Sequence, residues 1–512
     1  MISNNSTANK RIAKNTLFLY LRMLLSMGVS LYTARVVLSI LGIEDYGIYN
    51  VVGGVVTMFS FLNSTMAGAT SRFITFELGK GSSDVQTVFS VALTVHIIIA
   101  LVVCFIGETF GVWFLENKLV IPEAKMQEAK WLLQFSIITM MLSFTQVPYN
   151  AKLIAHEKLN IYAYFELINV CLKLLMAYIL LVVDTNKLVL YGFMVMLVQI
   201  IIAFLYRYYC VKKWSNCNFV LSLNRRFLKP LLFYSGWDLF GNASLVVRSQ
   251  GVNLLLNVFF GAIINAATGI ATQVQSAIMS FASNVITAFR PQIVKNYAAG
   301  AYDKMVNLIF LGSILTYVLY LVIALPIILE MDFILHLWLK NVPDYAVLFC
   351  QLALLMDLIS NSGRFLMIGI DATGRIKETS LILGSLYLLV LPVSYICFKF
   401  QAEPYVPYLY NLMMPLLSIP INLYWLHKYV GHFSPISYIK KNIVRLAFIT
   451  CVSFIVGLGV KENMENGWIR FLLIFTTSGL CSLLLSFYIC LSNRQRNALF
   501  AVLKSKIGKR KE

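Results

Sequence analysis

From end to end the chain alternates long apolar stretches with short polar ones. Windows of about 20 predominantly apolar residues, the length of helix that crosses a bilayer, fall at 15–41, 47–71, 88–109, 131–150, 161–183, 188–209, 229–258, 264–289, 306–329, 345–369, 379–398, 404–426, 443–460 and 467–491. Runs such as Leu308 to Leu329 and Phe471 to Leu491 carry no charge and are apolar nearly all round. A transmembrane strand would instead alternate in polarity over about ten residues. The pattern therefore predicts an all-α polytopic membrane protein of about fourteen helices, because a helix satisfies its own backbone groups in lipid. The split around Gly261 is the narrowest, and miscounting there would invert every later span.

Composition agrees with this reading. Hydrophobic residues make up 59% of the 512 and charged residues 13%, against roughly a quarter charged in soluble proteins, which excludes a soluble fold. The net charge of +19 would suggest nucleic acid in a soluble protein, but here it follows topology. Loops of one set (the N-terminus, 72–87, 151–160, 207–229, 290–304, 371–378, 427–441 and 492–512) hold about 28 of the 42 Lys and Arg residues, and the other set about seven. By the positive-inside rule both termini are expected in the cytoplasm. The first apolar run is too long for a signal-peptide core and is interrupted by Arg22 and Arg35, so it reads as an uncleaved span. The basic tail reads as a topological anchor or as a helix lying on anionic lipid. No loop exceeds about 23 residues, so no soluble domain is expected between spans.

The nine cysteines are scattered through apolar runs without a C-x-x-C pair, which predicts neither a disulfide framework nor a structural zinc site. No G-x-x-x-x-G-K-[ST] sequence is present, so ATP hydrolysis is not expected. No H-E-x-x-H or clustered histidine suggests a metal, and no cofactor is implied.

The end of the first span and the segment after it (LGIEDYGIYNVVGGVVTMFSF, then SRFITFELGKGSSDVQ) resemble a second stretch (FFGAIINAATGIATQVQSAIMSF, then FRPQIVKNYAAGAYDKM). Gly42 and Gly261, Gly47 and Gly269, Arg72 and Arg290, and Gly81 and Gly300 fall in register. Six spans separate the copies, so the repeats would share one orientation about an axis along the membrane normal. The resulting division is an N-lobe over 1–209, a cytoplasmic linker over 210–228, a C-lobe over 229–426, two further helices over 427–491 and a basic tail over 492–512: two pseudo-symmetric six-helix lobes plus two C-terminal helices. Gly53, Gly54 and the run NAATGIATQ serve either close helix packing or flexible points.

Five segments, YGIYNVVGGV, QGVNLLLNVFFGAIINAATGIATQVQSAIMSF, FRPQIVKNYAAG, LHLWLKNVPDY and DATGRIKE, together resemble the lipid-linked oligosaccharide flippases of the polysaccharide transporter family, in the superfamily that also holds the multidrug and toxin extruders. The resemblance runs from about residue 10 to about 440 and is most specific over Gln250 to Gly300. It implies two lobes that alternate access at the bacterial inner membrane. It also implies an undecaprenyl-diphosphate-linked repeat unit of O-antigen, capsule or exopolysaccharide as cargo, with membrane lipids and the polysaccharide polymerase and ligase machinery as candidate partners, and no nucleic acid.

Charged side chains inside spans cost about 2.5 to 3.5 kcal/mol each on insertion scales, so each is a functional candidate unless paired or snorkelling. A lipid diphosphate needs a cation in a low-dielectric cavity, and guanidinium meets phosphate bidentately. Arg248, near the middle of the seventh span, is the first candidate, followed by Arg22, Arg35 and, near the cytoplasmic entrance, Arg290. Arg35, about 9 Å from the outer end of its span, also fits a snorkelling role, and Arg290 a loop anchor. Glu166 and Lys173, like Asp357 and Arg364, lie seven apart on one helix face and read as coupling groups or compensated pairs. Asp238 reads as a partner of Arg248, a partner of another helix, or a proton carrier.

The leading expectation is a flippase. A proton- or sodium-coupled small-molecule exporter shares the expected fold and would rely on carboxylates such as Asp238 or Glu166. A membrane enzyme would be expected to present polar catalytic groups in a large outer loop, and the longest here, about Gly111 to Lys130, is short and merely amphipathic. No catalytic residue is expected.

Overall fold

The computed structural model describes residues 60–490, apart from 82–83, 118–120, 184, 218, 261 and 340–341, together with scattered residues before Ser60 and with Arg496. Among the described residues all regular secondary structure is helical. In chain order the helices are α1 (Ser60–Lys80), α2 (Val85–Ile106), α3 (Val112–Asn117), α4 (Met126–Ala155), α5 (Leu159–Val182), α6 (Lys187–Lys213), α7 (Arg225–Phe260), α8 (Ala262–Ala298), α9 (Tyr302–Leu329), α10 (Met331–Trp338), α11 (Ala346–Thr373), α12 (Lys377–Leu388), α13 (Val390–Lys399), α14 (Val406–Tyr429), α15 (Pro435–Tyr438), α16 (Val444–Glu462) and α17 (Trp468–Ile489). Every predicted span from the third onward has its helix. The first lies largely outside the described residues. Nine stretches among them are long and apolar enough to cross a membrane. This is a polytopic helical membrane protein.

Three boundaries differ from the hydropathy reading, each for a physical reason. Helix α2 continues through a π-helical turn at Gly107–Gly111 into α3, giving one rod over Val85–Asn117, so the predicted outer loop from 111 begins as helix. The span at 379–398 breaks at Leu389 between α12 and α13. Pro392 has no N–H to bond back to Leu388, which weakens the helix there. The predicted inner loops at 72–87 and 290–304 are helical over much of their length, because α1 runs to Lys80 and α8 to Ala298. Polar residues halt an apolar window without halting a helix; what stops these two is glycine. Gly81 and Gly300 adopt φ of 68° and 69°, the left-handed conformation that glycine enters without a Cβ penalty. The two glycines placed in register by the repeat thus end their helices in the same way.

The chain forms two compact units, one of residues 1–243 with 294–300 and one of 244–293 with 301–512. The division falls within α7, between Ala243 and Ser244. In the first unit a core around Leu132, Leu133, Ile137, Phe144 and Val103 joins α2 to α4. In the second, Leu256, Ala271, Tyr320, Leu321, Phe349 and Leu354 join α7, α8, α9 and α11. Gly312 on α9 faces the Phe365 ring of α11 so closely that a Cβ would overlap it, which is how small residues let membrane helices approach. Helices α16 and α17 pack on each other and on α9. An Arg470–Glu330 ion pair at 2.6 Å, with both side chains almost wholly buried, ties α17 to the end of α9.

Candidate functional site

Five helices of the second unit bring polar side chains to one place. Arg248 comes from α7, Gln275 from α8, Tyr320 from α9, Asp357 and Arg364 from α11, and Tyr387 from α12. The Arg248 guanidinium lies over the Tyr387 ring, 4.8 Å from its centroid, a cation–π contact that a desolvated site strengthens. Asp357, only 6% exposed, lies within electrostatic reach of Arg364, Gln275 and Arg248. The Tyr320 hydroxyl, within reach of the same Asp357 and Arg364, donates to the Leu354 carbonyl at 3.4 Å.

Arg364 is exposed although it lies well inside α11, roughly 13 Å from the Thr373 end at 1.5 Å per residue. A guanidinium facing hydrocarbon at that depth would be strongly disfavoured. Two guanidinium groups lie within electrostatic reach of one buried carboxylate here, so the cluster carries a net positive charge and has spare donors for an anion.

The structure places the sequence candidates unevenly. Arg248, Asp357 and Arg364 come together as above, although no direct ion pair joins Asp357 to Arg364. Arg290 pairs with Asp371 at 3.1 Å near the end of α8. Arg22 and Arg35 lie outside the described residues. Glu166 is half-buried and Lys173 exposed on α5, with no ion pair between them; seven residues separate them by about 10.5 Å along the axis. Asp238 is half-buried in the first unit, and the carboxylate within reach of Arg248 is Asp357.

Gln275 and Tyr387 were not legible as site residues. Gln273 and Gln275 lie in the same polar run, but a helix turns about 100° per residue, so residues two apart face opposite ways. Gln273 is exposed and Gln275 half-buried. Tyr387 could have been found only by knowing that α12 passes α7.

The first unit holds polar contacts of another kind. Asn63 donates to Ser143 at 2.8 Å, Gln199 to Gln146 at 3.0 Å, Arg207 to Thr145 at 2.5 Å and Asn242 to Thr65 at 3.3 Å. Arg72, 7% exposed, stacks among Phe73, Phe76 and Tyr234. At one end of this unit Glu157 accepts an ion pair from Lys295 at 2.6 Å, and His156 stacks on Trp214 with centroids 4.4 Å apart. Burial, then the charges of Lys152, Lys295 and Lys158, lower the His156 pKa to about 4. Burial also pushes the Cys217 thiol up to about 11, against the pull of Lys152. Among the described residues no cluster of His, Cys, Asp and Glu has the makings of a metal site.

Neither a known protein family nor a curated protein matches the sequence. Solved structures do match in fold. The outward-facing conformation of a multidrug resistance MATE family transporter of the MOP superfamily superposes with a TM-score of 0.70 at 14% identity, over 82% of this chain and 96% of that one. A MATE crystal structure in the bent conformation gives 0.72 at 13% identity, over 83% and 96%. A MOP superfamily transporter from Pyrococcus furiosus, whose binding pocket is described as reversed in polarity and suggestive of a different function, gives 0.68 at 15% identity, over 82% and 96%. At such identities the likeness establishes the fold, which is that of the MATE transporters.

Proposed function

We propose that this transporter-fold protein moves an anionic lipid-linked oligosaccharide, a polyprenyl diphosphate bearing a sugar repeat unit, from the cytoplasmic to the outer leaflet of a bacterial inner membrane. Both termini are on the cytoplasmic side in this reading. The observation that carries it is the Arg248–Asp357–Arg364 cluster, in which two intramembrane guanidinium groups outnumber the carboxylate beside them. A cationic drug would be repelled by that balance, whereas a diphosphate gains charge-assisted, bidentate hydrogen bonds. The resemblance of Gln250 to Gly300 to the polysaccharide transporters supports the same cargo. The likeness to MATE structures does not oppose it, since one of them is itself described by a pocket of reversed polarity. Arg22 and Arg35 are proposed as further diphosphate contacts and Arg290 as an entrance contact. The cargo passes onward to polymerase and ligase machinery.

A second reading is export of small molecules coupled to protons or sodium, favoured by the description of similar structures as multidrug transporters. Carboxylates such as Asp238 and Glu166 would then carry the coupling. Deleting the gene in its bacterial host separates the two. Loss of surface glycan with complete lipid-linked units held on the cytoplasmic leaflet is the expected result. Unchanged glycan, in a strain without a redundant transporter, together with raised drug sensitivity would replace the flippase reading with the exporter.

A further inference from the structure

We propose that residues 219–229 form a docking surface for anionic phospholipid, with the apolar side chains before α7 set among acyl chains and the cations at the start of α7 on headgroup phosphates. The surface lies wholly within the first unit and is independent of the cargo proposed above.

Residues 219–223 have no regular secondary structure, yet they are held against a membrane span. The Val220 amide donates to the Ser90 hydroxyl at 3.4 Å and the Ser222 amide to the Thr94 hydroxyl at 3.2 Å. Ser90 and Thr94 are one turn apart on α2, so they present one face, and both are almost fully buried. Thr94 is free to accept because its own proton goes to the Ser90 carbonyl at 2.8 Å. Such partners matter here, since irregular backbone lacks helical acceptors and an unmet N–H next to lipid is costly. Both hydroxyls sit within the first three turns of the rod over Val85–Asn117, which is long and apolar enough to cross a membrane. That is the boundary between headgroups and acyl chains.

The side chains of this strap suit that boundary. Phe219, Val220, Leu221 and Leu223 are each between 44% and 72% exposed. A contiguous exposed apolar run marks contact with lipid or with a partner, and one seated on the first turns of a span meets lipid.

Charge selects the kind of lipid. Arg225, Arg226 and Lys229 follow directly and are all exposed, and Lys212 and Lys213 close α6 just before the strap. Asp84 pairs with Arg226 at 3.3 Å, and even that arginine side chain stays 73% exposed. The first turn of α7 holds no acidic residue, the reverse of what a helix start favours, so an anion from outside the chain is favoured by the side chains and the backbone alike. Guanidinium meets phosphate with a planar fork, whereas a zwitterionic headgroup brings its own cation and gains less. An apolar stretch flanked by basic residues is the composition that lies on anionic membrane surfaces, where each Lys or Arg strengthens attachment about fivefold.

The test places the full chain in nanodiscs with a trace of photoreactive lipid, either phosphatidylglycerol or phosphatidylcholine carrying a diazirine on one acyl chain, and maps the crosslinks by peptide mass spectrometry. The phosphatidylglycerol probe is expected to label 219–233 several-fold more than the phosphatidylcholine probe, with an excess that shrinks as salt rises. Arg225→Gln combined with Arg226→Gln and Lys229→Gln should remove the excess while leaving labelling of α16 and α17 unchanged. Arg225→Lys with Arg226→Lys should keep most of it, which separates lost charge from a disturbed fold. Equal labelling by the two probes, absence of crosslinks over 219–223, or an excess untouched by the triple variant would overturn the proposal. So would displacement of the phosphatidylglycerol probe by equimolar polyprenyl diphosphate, which would give the surface to the cargo. None of these outcomes bears on glycan output, by which the transport reading stands or falls.

Discussion

Replacing Arg248 by alanine tests the site most directly, provided that two consequences are kept apart. The guanidinium contributes charge-assisted hydrogen bonds to an anionic cargo, worth about 1.5 to 3 kcal/mol, or about 10- to 150-fold in affinity. It is also a cation within reach of Asp357, which is 6% exposed, and even removing one partner of a direct buried pair costs only about 3 to 5 kcal/mol. Arg364 remains as a second cation, so the stability loss is expected at or below the low end of that range. Arg248→Ala should therefore lower the melting temperature of the detergent-solubilised protein and abolish surface glycan in a deletion strain. Arg248→Ala combined with Asp357→Asn removes the stranded carboxylate, and should recover the melting temperature without recovering transport. Arg248→Lys should keep part of both, since an ammonium keeps the charge but not the planar fork. Each variant is read by membrane abundance, thermal stability and glycan output. A double variant that folds like the wild type and transports like it would refute the assignment of Arg248 to the cargo.

Two further outcomes follow from the structure. Glu330→Ala leaves Arg470 with only the Met464 carbonyl and the Asn466 side chain and should cost about 3 to 5 kcal/mol of unfolding stability, with Glu330→Gln paired with Arg470→Met recovering most of it; equal stability of Glu330→Ala and wild type in denaturant titration would remove this pair as the tie between α9 and α17. His156, whose folded pKa of about 4 lies below the ordinary 6.5, binds fewer protons folded than unfolded between those values, so its neutral form favours folding above about 6.5 and that advantage is lost as pH falls toward 4; melting temperatures at pH 7, 6 and 5 should drop more steeply in the wild type than in His156→Gln, and parallel slopes would refute the burial argument.

Spans were legible because lipid leaves a chain few options: a run of twenty apolar residues must satisfy its backbone internally, and only a helix does so in one segment. Hydropathy loses the helix where the solvent changes, not where the hydrogen bonding does. That is why α1 and α8 outrun their apolar windows to Lys80 and Ala298, and why two glycines with positive φ, already paired by the repeat, mark the true ends. Arg248 was legible as a charge too deep to snorkel. Its surroundings were not, because Asp357 and Tyr387 reach it from two other helices, and helix-to-helix rotation is set by packing such as the seat of Gly312 on Phe365. Sequence spacing invited the pairings it could express, Asp357 with Arg364 along one helix and Asp238 with Arg248 along another. In the second unit Asp357 lies within reach of Arg364 on its own helix and also of Arg248 on α7.

That difference bears on how cargo is chosen. An ion pair made along one helix moves as a unit and is indifferent to how neighbouring helices sit. A carboxylate on α11 within reach of a guanidinium on α7 changes its electrostatic surroundings whenever either helix shifts. Anion occupancy and the packing of these helices are therefore linked by the same charges, and by reciprocity whatever favours one arrangement of the helices must favour or disfavour the anion to the same extent. A neutral or cationic solute of equal size makes no such claim on Arg248 and Arg364 and would leave that packing where it stands. In this reading the selectivity of the protein for an anionic lipid and its response to that lipid have one physical origin, the imbalance of two guanidinium groups over one carboxylate.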